Sequence, residues 1–451
     1  MRHFVKQYVM FVLILSCLVV STLPVNAAGL FDENVLVVEG KYNSSSHSIT
    51  MKGELHDQNY AWIKGFDITY KDKSVYSISK KELLDHDNRF TYTYNLKKTD
   101  RSNNYVFNID YDVDPEEELP GSWRPKYFEV YIHEFDVEKA LKEKTIEKIR
   151  QKNKQFSREF GDDEIYLSRP QSRPPYKPGK LTKETLTRGL NSVKMMRYLA
   201  GLPYESLKLD SKINEQNQYG AVLLQRIGKL DHYPNQPKDM PYSFYEKGYD
   251  GTSSSNLCEC GSSLGYSVHV YMYDTDAYNI SHVGHRRWVL DTNYESLGFG
   301  LSGSYSLLGF GSADDVSTKV KWNYISWPAK GYMPIEQFDL DRRYNRTAWS
   351  ISLNPEKYKK MNPKKITVEI SKKGEKKVWK LNSSMNKYSS SKNYMNVSLE
   401  NIGGPAIVFR PELKDSLKNN DTFTVKVKGL QSLSGKESTI SYTVKFFKLK
   451  K

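Results

Sequence analysis

Asn279-Ile-Ser-His-Val-Gly-His-Arg-Arg-Trp-Val-Leu290 is the stretch from which the fold is read. It carries His282 and His285, two of the chain's nine histidines, beside Arg286, Arg287 and Trp288. In a helix, a spacing of three puts both imidazoles on one face. Gly284 lets backbone or a ligand approach closely. Just beyond, Ser296-Leu-Gly-Phe-Gly300 reads as a Gly-rich strand edging a cleft.

Working back from there, the period of the apolar residues is helical. Thr182 is placed to cap a helix whose face carries Leu186, Leu190 and Val193, and Gly201 followed by Pro203 ends it. A second helix runs from Leu209 to Gly228, with Ile213, Asn217, Gly220, Ala221 and Leu224 on one face. His232 leaves it, a loop rich in Pro, Tyr and Gly follows, and a third helical pattern is expected from about Ser255.

The flanks alternate instead. Tyr105, Phe107, Ile109, Tyr111 and Val113, and then Phe128, Val130 and Ile132, have the period of two of half-buried strands. Asp110, Asp112, Asp114 and Glu116 lack the turn glycine of a calcium loop and read as a solvated strand face. After about Phe338 alternation returns at Ile366, Val368 and Ile370, at Phe423 to Val427, and at Ile440 to Phe446. Residues 136 to about 160 are charged with a thin apolar stripe of Ala140, Leu141, Ile146 and Ile149. Arg169-Pro-Gln-Ser-Arg-Pro-Pro-Tyr-Lys-Pro-Gly179 then reads as an extended, semi-rigid linker.

At its start the chain has a basic segment (Arg2, His3, Lys6), an apolar run from Val9 to Leu23 and small residues at Val25-Asn26-Ala27. This is the layout of a cleaved secretory signal, so secretion is expected. Leu15-Ser16-Cys17 offers a rival reading in which Cys17 is lipidated, but the apolar run continues past it. No later stretch has the apolar run of a membrane span, so no transmembrane anchor is expected. The formal charge is +14, of which the leader carries Arg2 and Lys6. A basic secreted protein is drawn to anionic surfaces such as wall polymers or acidic lipid, although scattered lysines also serve solubility. Nucleic-acid binding is not expected, for the chain has no zinc-finger or RNA-binding signature. Beyond the leader only Cys258 and Cys260 remain, which excludes a disulfide scaffold. Their C-x-C spacing permits a small closed ring, metal ligation or two buried thiols, with thiols the default.

The central block, roughly Leu181 to Pro334, resembles the CAP superfamily, the cysteine-rich secretory and plant pathogenesis-related proteins. The resemblance rests on five pieces in order across some 150 residues. They are Leu199-Ala-Gly-Leu-Pro203, then Leu209 to His232 with Gln218-Tyr-Gly-Ala221, Ser255-Asn-Leu257 where members have Glu-Asn-Leu or Glu-Asn-Ile, Val283-Gly-His-Arg-Arg-Trp288 with Leu297-Gly-Phe-Gly300, and Trp327 to Pro334, which is similar to the tail of bacterial members.

For the central block the resemblance implies an α-β-α sandwich, and joined to the alternating flanks this gives an expected α+β chain. A central CAP α-β-α sandwich at 181–338 stands between mainly-β, sandwich-like domains at 28–136 and 339–451, with 137–180 as charged helix and linker. It also implies a cleft into which His232 and His285 project, with Asp274 in the place of one family acid. Ser255 stands where the second acid would be, a departure from the pattern, and Glu259 is a candidate replacement. Two imidazoles and a carboxylate suit a borderline divalent cation such as zinc, and three protein ligands leave positions open for water. Ser255 can otherwise support a ligand imidazole. A Ser255–His285–Asp274 triad, or Cys258 or Cys260 as nucleophile, matches by residue type alone, without a nucleophile elbow.

Each of these residues also has a purely architectural role open to it. His232 and His285 can pin loops, Asp274 can cap the following helix, His282 can lie at the surface, and Arg286 and Arg287 can bind carbonyls. Trp288, Trp322 and Trp327 can be core. Three functions follow: a non-catalytic binding module for lipid, peptide or an anionic wall polymer; a zinc-assisted hydrolase using His232, His285 and Asp274; or a structural cell-wall or spore-coat protein. The first leads.

Overall fold

Alternating sequence becomes sheet, and helical period becomes the layers that flank it. The computed structural model describes residues 36–449 apart from 44–45, 57–62, 98–103, 114–125, 132, 157–163, 262, 312–315, 317, 339–346, 390 and 401. The leader with Cys17, and Asp114 and Glu116 of the acidic strand, lie outside the described residues. The chain divides into two compact units, Met1–Ile132 and His133–Lys451. Helices and strands are both abundant, so the class is α+β.

The first unit holds strands β1 (Leu36–Asn43), β2 (Ser48–Leu55), β3 (Ile63–Tyr70), β4 (Lys73–Ser79), β5 (Arg89–Asn95), β6 (Asn104–Val113) and β7 (Lys126–Tyr131), with one short helix α1 (Lys80–Asp85). They form two antiparallel sheets, ordered β1-β2-β5 and β4-β3-β6-β7. One cluster joins them, with Ile49 and Met51 from one sheet and Phe66, Ile68, Tyr105 and Phe107 from the other. Asp110 and Asp112 stand exposed on β6, where Asp110 accepts a hydrogen bond from the Thr69 hydroxyl at 3.3 Å.

The second unit begins with β8 (His133–Asp136) and the helices α2 (Val137–Glu143) and α3 (Ile146–Gln155), which bury Leu141 and Ile149. The Pro-rich stretch is folded back rather than running free. β9 (Tyr166–Ser168) pairs with β10 (Lys180–Leu181), Pro178 O accepts from Gln218 Nε2 at 2.8 Å, and Tyr176 Oη accepts from Arg226 Nε at 2.7 Å.

Then come α4 (Lys183–Ala200), β11 (Lys208–Leu209), α5 (Ser211–Ile227), α6 (Tyr242–Ser253), β12 (Ser255–Glu259), α7 (Leu264–Tyr273), α8 (Gly284–Val289), β13 (Ser296–Ser302) and β14 (Tyr305–Phe310). Thr182 and Asp210 cap α4 and α5 with their side chains, and Gly201 and Gly228 end them in left-handed conformation.

A four-stranded sheet, β11-β13-β14-β12, lies between helices. Its glycines explain how closely. A Cβ on Gly298 or Gly300 would meet the backbone of Asn214 or Asn217 on α5 at 2.5 and 2.0 Å. The alternate residue Phe299 points the other way, against Gly189 of α4. α5 therefore covers one face and α4 the other. Amide side chains of α5 complete the seam. Asn214 Oδ1 accepts from Phe299 N, Asn217 Nδ2 donates to Gly298 O, and Gln218 bonds Leu301 through both N–H and C=O.

Two expectations fail here. Ser255–Glu259 is a strand and not the start of a helix, because its backbone pairs in register with Tyr305–Gly309, and the helix waits until Leu264. The Pro/Tyr/Gly loop contains the helix α6, whose Gly248 and Gly251 let it pack directly on the α5 backbone.

The remaining strands are β15 (Thr318–Lys321), β16 (Tyr324–Trp327), β17 (Gly331–Pro334), β18 (Trp349–Leu353), β19 (Thr367–Lys372), β20 (Val378–Asn382), β21 (Tyr394–Ser398), β22 (Ala406–Arg410), β23 (Thr422–Gln431) and β24 (Glu437–Phe447). β15 pairs with β8. The others make two sheets, β16-β18-β22-β21 and β17-β24-β23-β19-β20. The stretch Trp327 to Pro334 thus supplies strand residues to both C-terminal sheets. One hydrophobic cluster runs from Val137 through Leu199, Phe299, Trp327 and Trp349 to Phe446. No helix of the described residues is long and apolar enough to cross a membrane.

The close seam between α5 and β13 makes a quantitative contrast. Gly300→Ala drives a methyl into fixed backbone and is expected to cost about 3 kcal/mol. Gly228→Ala, with a φ of 69° but nothing within 4 Å, is expected to cost about 1 kcal/mol. Urea unfolding midpoints at unchanged slope measure both, and equal losses would contradict the seam.

Candidate functional site

His232 follows the left-handed Gly228 that ends α5, so its ring lies where α5 and α6 part. Its Nδ1–H donates to Thr252 O at 2.8 Å, while the Thr252 hydroxyl donates to His232 O at 3.2 Å. This clamp fixes the tautomer and leaves Nε2 with its lone pair. His232 lines a cleft of about 690 Å³ together with Ser255 and Asn256 of β12, Asn279, His282, and His285 and Trp288 of α8. Loop residues Glu400 and Ile402, between β21 and β22, close another side.

His285 is oriented the same way by a different partner. Its Nδ1 donates to Asp274 Oδ1 at 2.7 Å, and Asp274 Oδ2 accepts from Arg286 N at 3.1 Å. Asp274 is 3% exposed and stands behind the imidazole instead of beside it in the cleft. It also serves as an N-terminal cap for α8, whose own N-cap residue, Val283, has no side-chain hydrogen bond. Both readings of this acid, site member and cap, are combined in one carboxylate.

Ser255 reaches the cleft wall, but its hydroxyl donates to Asn217 Oδ1 at 2.7 Å, on the sheet face that α5 covers. It forms no triad with His285. Glu259 lies four residues along the same strand and is exposed. A disulfide joins Cys258 and Cys260, correcting the expectation of two thiols and leaving neither sulfur as nucleophile or metal ligand. His282 is in the cleft too, but not on a shared helix face with His285, because α8 starts only at Gly284. Asp276 caps the turn before it, accepting from Tyr278 N and Asn279 N.

Arg286 and Arg287 are almost fully buried and bind carbonyls. Arg286 donates to Met272 O, Tyr273 O, Ala348 O and the Ser350 hydroxyl. Arg287 donates to His282 O, Glu400 O, Ile402 O, Gly404 O and the Ser398 hydroxyl. Burial lowers both guanidinium pKa values to about 10, which keeps both charged at neutral pH. Trp327 is core at 0% exposure. Trp288 is not. It lines the cleft, with Tyr294 at 5.6 Å and Phe310 at 6.2 Å between ring centroids. The sequence reading placed Trp288 in the core and did not single out Tyr294, Phe310, Tyr233, Glu400 or Ile402. Only Tyr294 and Phe310, flanking the Gly-rich strand, had a positional signal.

The two imidazoles are tuned apart. Burial lowers the pKa of His232, and the nearby His285 lowers it further against the opposing Thr252 carbonyl. Burial also disfavours charge on His285, but the charge and hydrogen bond of Asp274 outweigh it, and the pKa is raised. No group of three or more His, Cys, Asp or Glu that would hold a metal ion occurs among the described residues. The cleft is lined by the imidazoles of His232, His282 and His285.

Because the folded-state pKa of His285 is raised, its stabilising contribution is complete below the unfolded value of about 6.5. It is lost as pH rises through the folded value. The depressed His232 contributes in the opposite sense, above the unfolded pKa, and loses that contribution as pH falls through its folded value. NMR titration should find His285 titrating above His232, with the order collapsing in Asp274→Asn. An Asp274→Ala variant leaves a buried donor pair unmet and should lose about 3 kcal/mol. An unchanged His285 titration in Asp274→Asn would refute the pairing.

No protein-family model, no curated protein and no solved structure matches this chain.

Proposed function

We propose that this chain is a secreted, CAP-like binding module whose cleft receives a ligand at the cell envelope without transforming it. The CAP likeness draws support from the layering of α4 and α5 on opposite faces of one small sheet. It draws further support from His232 and His285 reaching one cleft.

The observation that carries the binding reading is where the third candidate ligand points. Asp274 spends both carboxylate oxygens on His285 and Arg286, and Ser255 spends its hydroxyl on Asn217. A zinc-assisted hydrolase needs three protein ligands and an open position. His232, His282 and His285 all line the cleft, but no group of three or more His, Cys, Asp or Glu that would hold a metal ion occurs among the described residues, so no step is routed through a metal. The open, aromatic-walled cleft with a few fixed polar atoms has the make-up of a recognition site.

Zinc titration of the chain, beside His232→Ala/His285→Ala, separates the two. The binding reading expects no stoichiometric zinc uptake, together with at least ten-fold weaker retention of the double variant on purified envelope material. Stoichiometric zinc binding abolished by the double substitution would overturn it in favour of the hydrolase.

A further inference from the structure

From His232 an unbroken row of rings leaves the cleft. The His232 and Tyr233 ring centroids are 6.2 Å apart, Tyr233 and Tyr249 6.3 Å, Tyr249 and Tyr245 5.8 Å, and Tyr245 and Tyr242 6.3 Å. Tyr242, Tyr245 and Tyr249 fall on α6 at positions i, i+3 and i+7, one face of the helix, and extend about 10 Å along it. The row is open to solvent at Tyr233, 68% exposed, and at Tyr242, 62% exposed. The opposite end of the cleft has its own aromatic wall of Trp288, Tyr294 and Phe310. Clustered exposed aromatics of this kind mark a contact surface.

The polar groups between the two walls share a bias. The Ser253 and Ser254 hydroxyls donate to Asp250 O, and the Ser255 hydroxyl donates to Asn217. His232 and His285 donate through Nδ1 to Thr252 and Asp274. Their donor hydrogens are spent on the scaffold, and what they turn to a ligand is acceptor capacity: hydroxyl oxygens and, in the neutral rings, imidazole Nε2. A ligand that meets these serines and imidazoles must supply donors, while the amides of Asn256 and Asn279 in the same lining offer both donor and acceptor. Among the described lining residues, histidines apart, Glu400 is the one acid, and no Lys or Arg is there. The basic character of the chain as a whole does not extend into this cleft. Ile402 is its one aliphatic side chain.

We propose that cleft and tyrosine row together bind a neutral glycan chain. A pyranose ring presents a C–H face that stacks on an aromatic ring and a rim of hydroxyl donors, which is the complement of this surface. Among the described lining residues an anionic polymer meets no Lys or Arg, and an acyl chain meets no continuous aliphatic wall. The proposal rests on the binding reading above and names its ligand class.

Affinity electrophoresis of the full chain tests it, in gels containing hydroxyethyl cellulose or glycol chitin, with polyglutamate gels and phosphatidylcholine vesicle flotation alongside. Retardation is expected in a neutral glycan gel, unchanged between low and high salt. Tyr233→Ala/Tyr242→Ala should weaken it at least ten-fold, while Tyr233→Phe/Tyr242→Phe, which keeps the rings, should retain it. Matching circular-dichroism melts would show that the alanine variant folds. Absence of retardation in both neutral gels, or retardation indifferent to the alanine pair, would overturn the glycan assignment. If polyglutamate or vesicles bind instead and His232→Ala/His285→Ala abolishes that binding, the glycan assignment fails and the binding reading survives. If no probe binds and envelope material is not retained either, both fail.

Discussion

Two buried positive charges hold the cleft together. Arg286 and Arg287 are adjacent in α8, so their side chains leave in different directions, and each finds a nest of carbonyl oxygens. The Arg286 acceptors lie at the end of α7 and around β18, at Met272, Tyr273, Ala348 and Ser350. Arg287 reaches Glu400, Ile402 and Gly404 in the loop between β21 and β22, Ser398 at the end of β21, and His282 just before α8. A guanidinium in the interior is tolerated only when its donors are met. The two together force α8, α7 and the β16-β18-β22-β21 sheet into one fixed arrangement. Arg197 adds a third tie from α4 to Val289 O, Asp291 O and Tyr294 O. The cleft is consequently not a property of the helical block alone. Glu400 and Ile402 stand in its wall because Arg287 holds their carbonyls.

This explains what could and could not be read in advance. The cap at Thr182, the stops at Gly201 and Gly228, and the alternation from Ile366 to Phe446 are local signals, and the elements follow them. His232 and His285 were placed by their motifs, and both do line one cleft. The failures share a cause in tertiary contact. Ser255–Glu259 is short and polar at its start, and only Tyr305–Gly309, some fifty residues on, makes it a strand. α6 has two glycines, a proline at its N-cap and no side-chain cap, so local propensity argues against a helix. It forms because those glycines allow backbone contact with α5. The direction in which Asp274 points was equally invisible, since it depends on a left-handed residue at φ 44° that turns the carboxylate toward α8.

Glycine recurs at each place where the site is built, and asparagine and glutamine recur beside it. β13 has no side chain on the α5 face at Gly298 and Gly300, so Asn214, Asn217 and Gln218 of α5 meet its backbone directly. Asn217 then accepts the hydroxyl of Ser255. A carboxylate at 255 would face the Asn217 carbonyl oxygen at short range with no hydrogen to share, so serine and Asn217 form one matched pair. Ser255 is thus absorbed into the seam that fixes the sheet.

What remains in the cleft follows from that allocation. Donor hydrogens of the serines and of both Nδ1 atoms go into holding α6, α8 and β12 in place. A buried donor left without a partner costs more than the same donor gains by waiting for a ligand, so the fold takes the donors and the cleft keeps acceptors. The tyrosines of α6 are subject to the same rule. Tyr245 gives its hydroxyl hydrogen to Pro234 O at 2.9 Å, anchoring the segment that carries His232, while its ring remains in the row beside Tyr242 and Tyr249. Scaffold and cleft wall are therefore made from the same side chains, with the hydrogen bonds turned inward and the ring faces turned out.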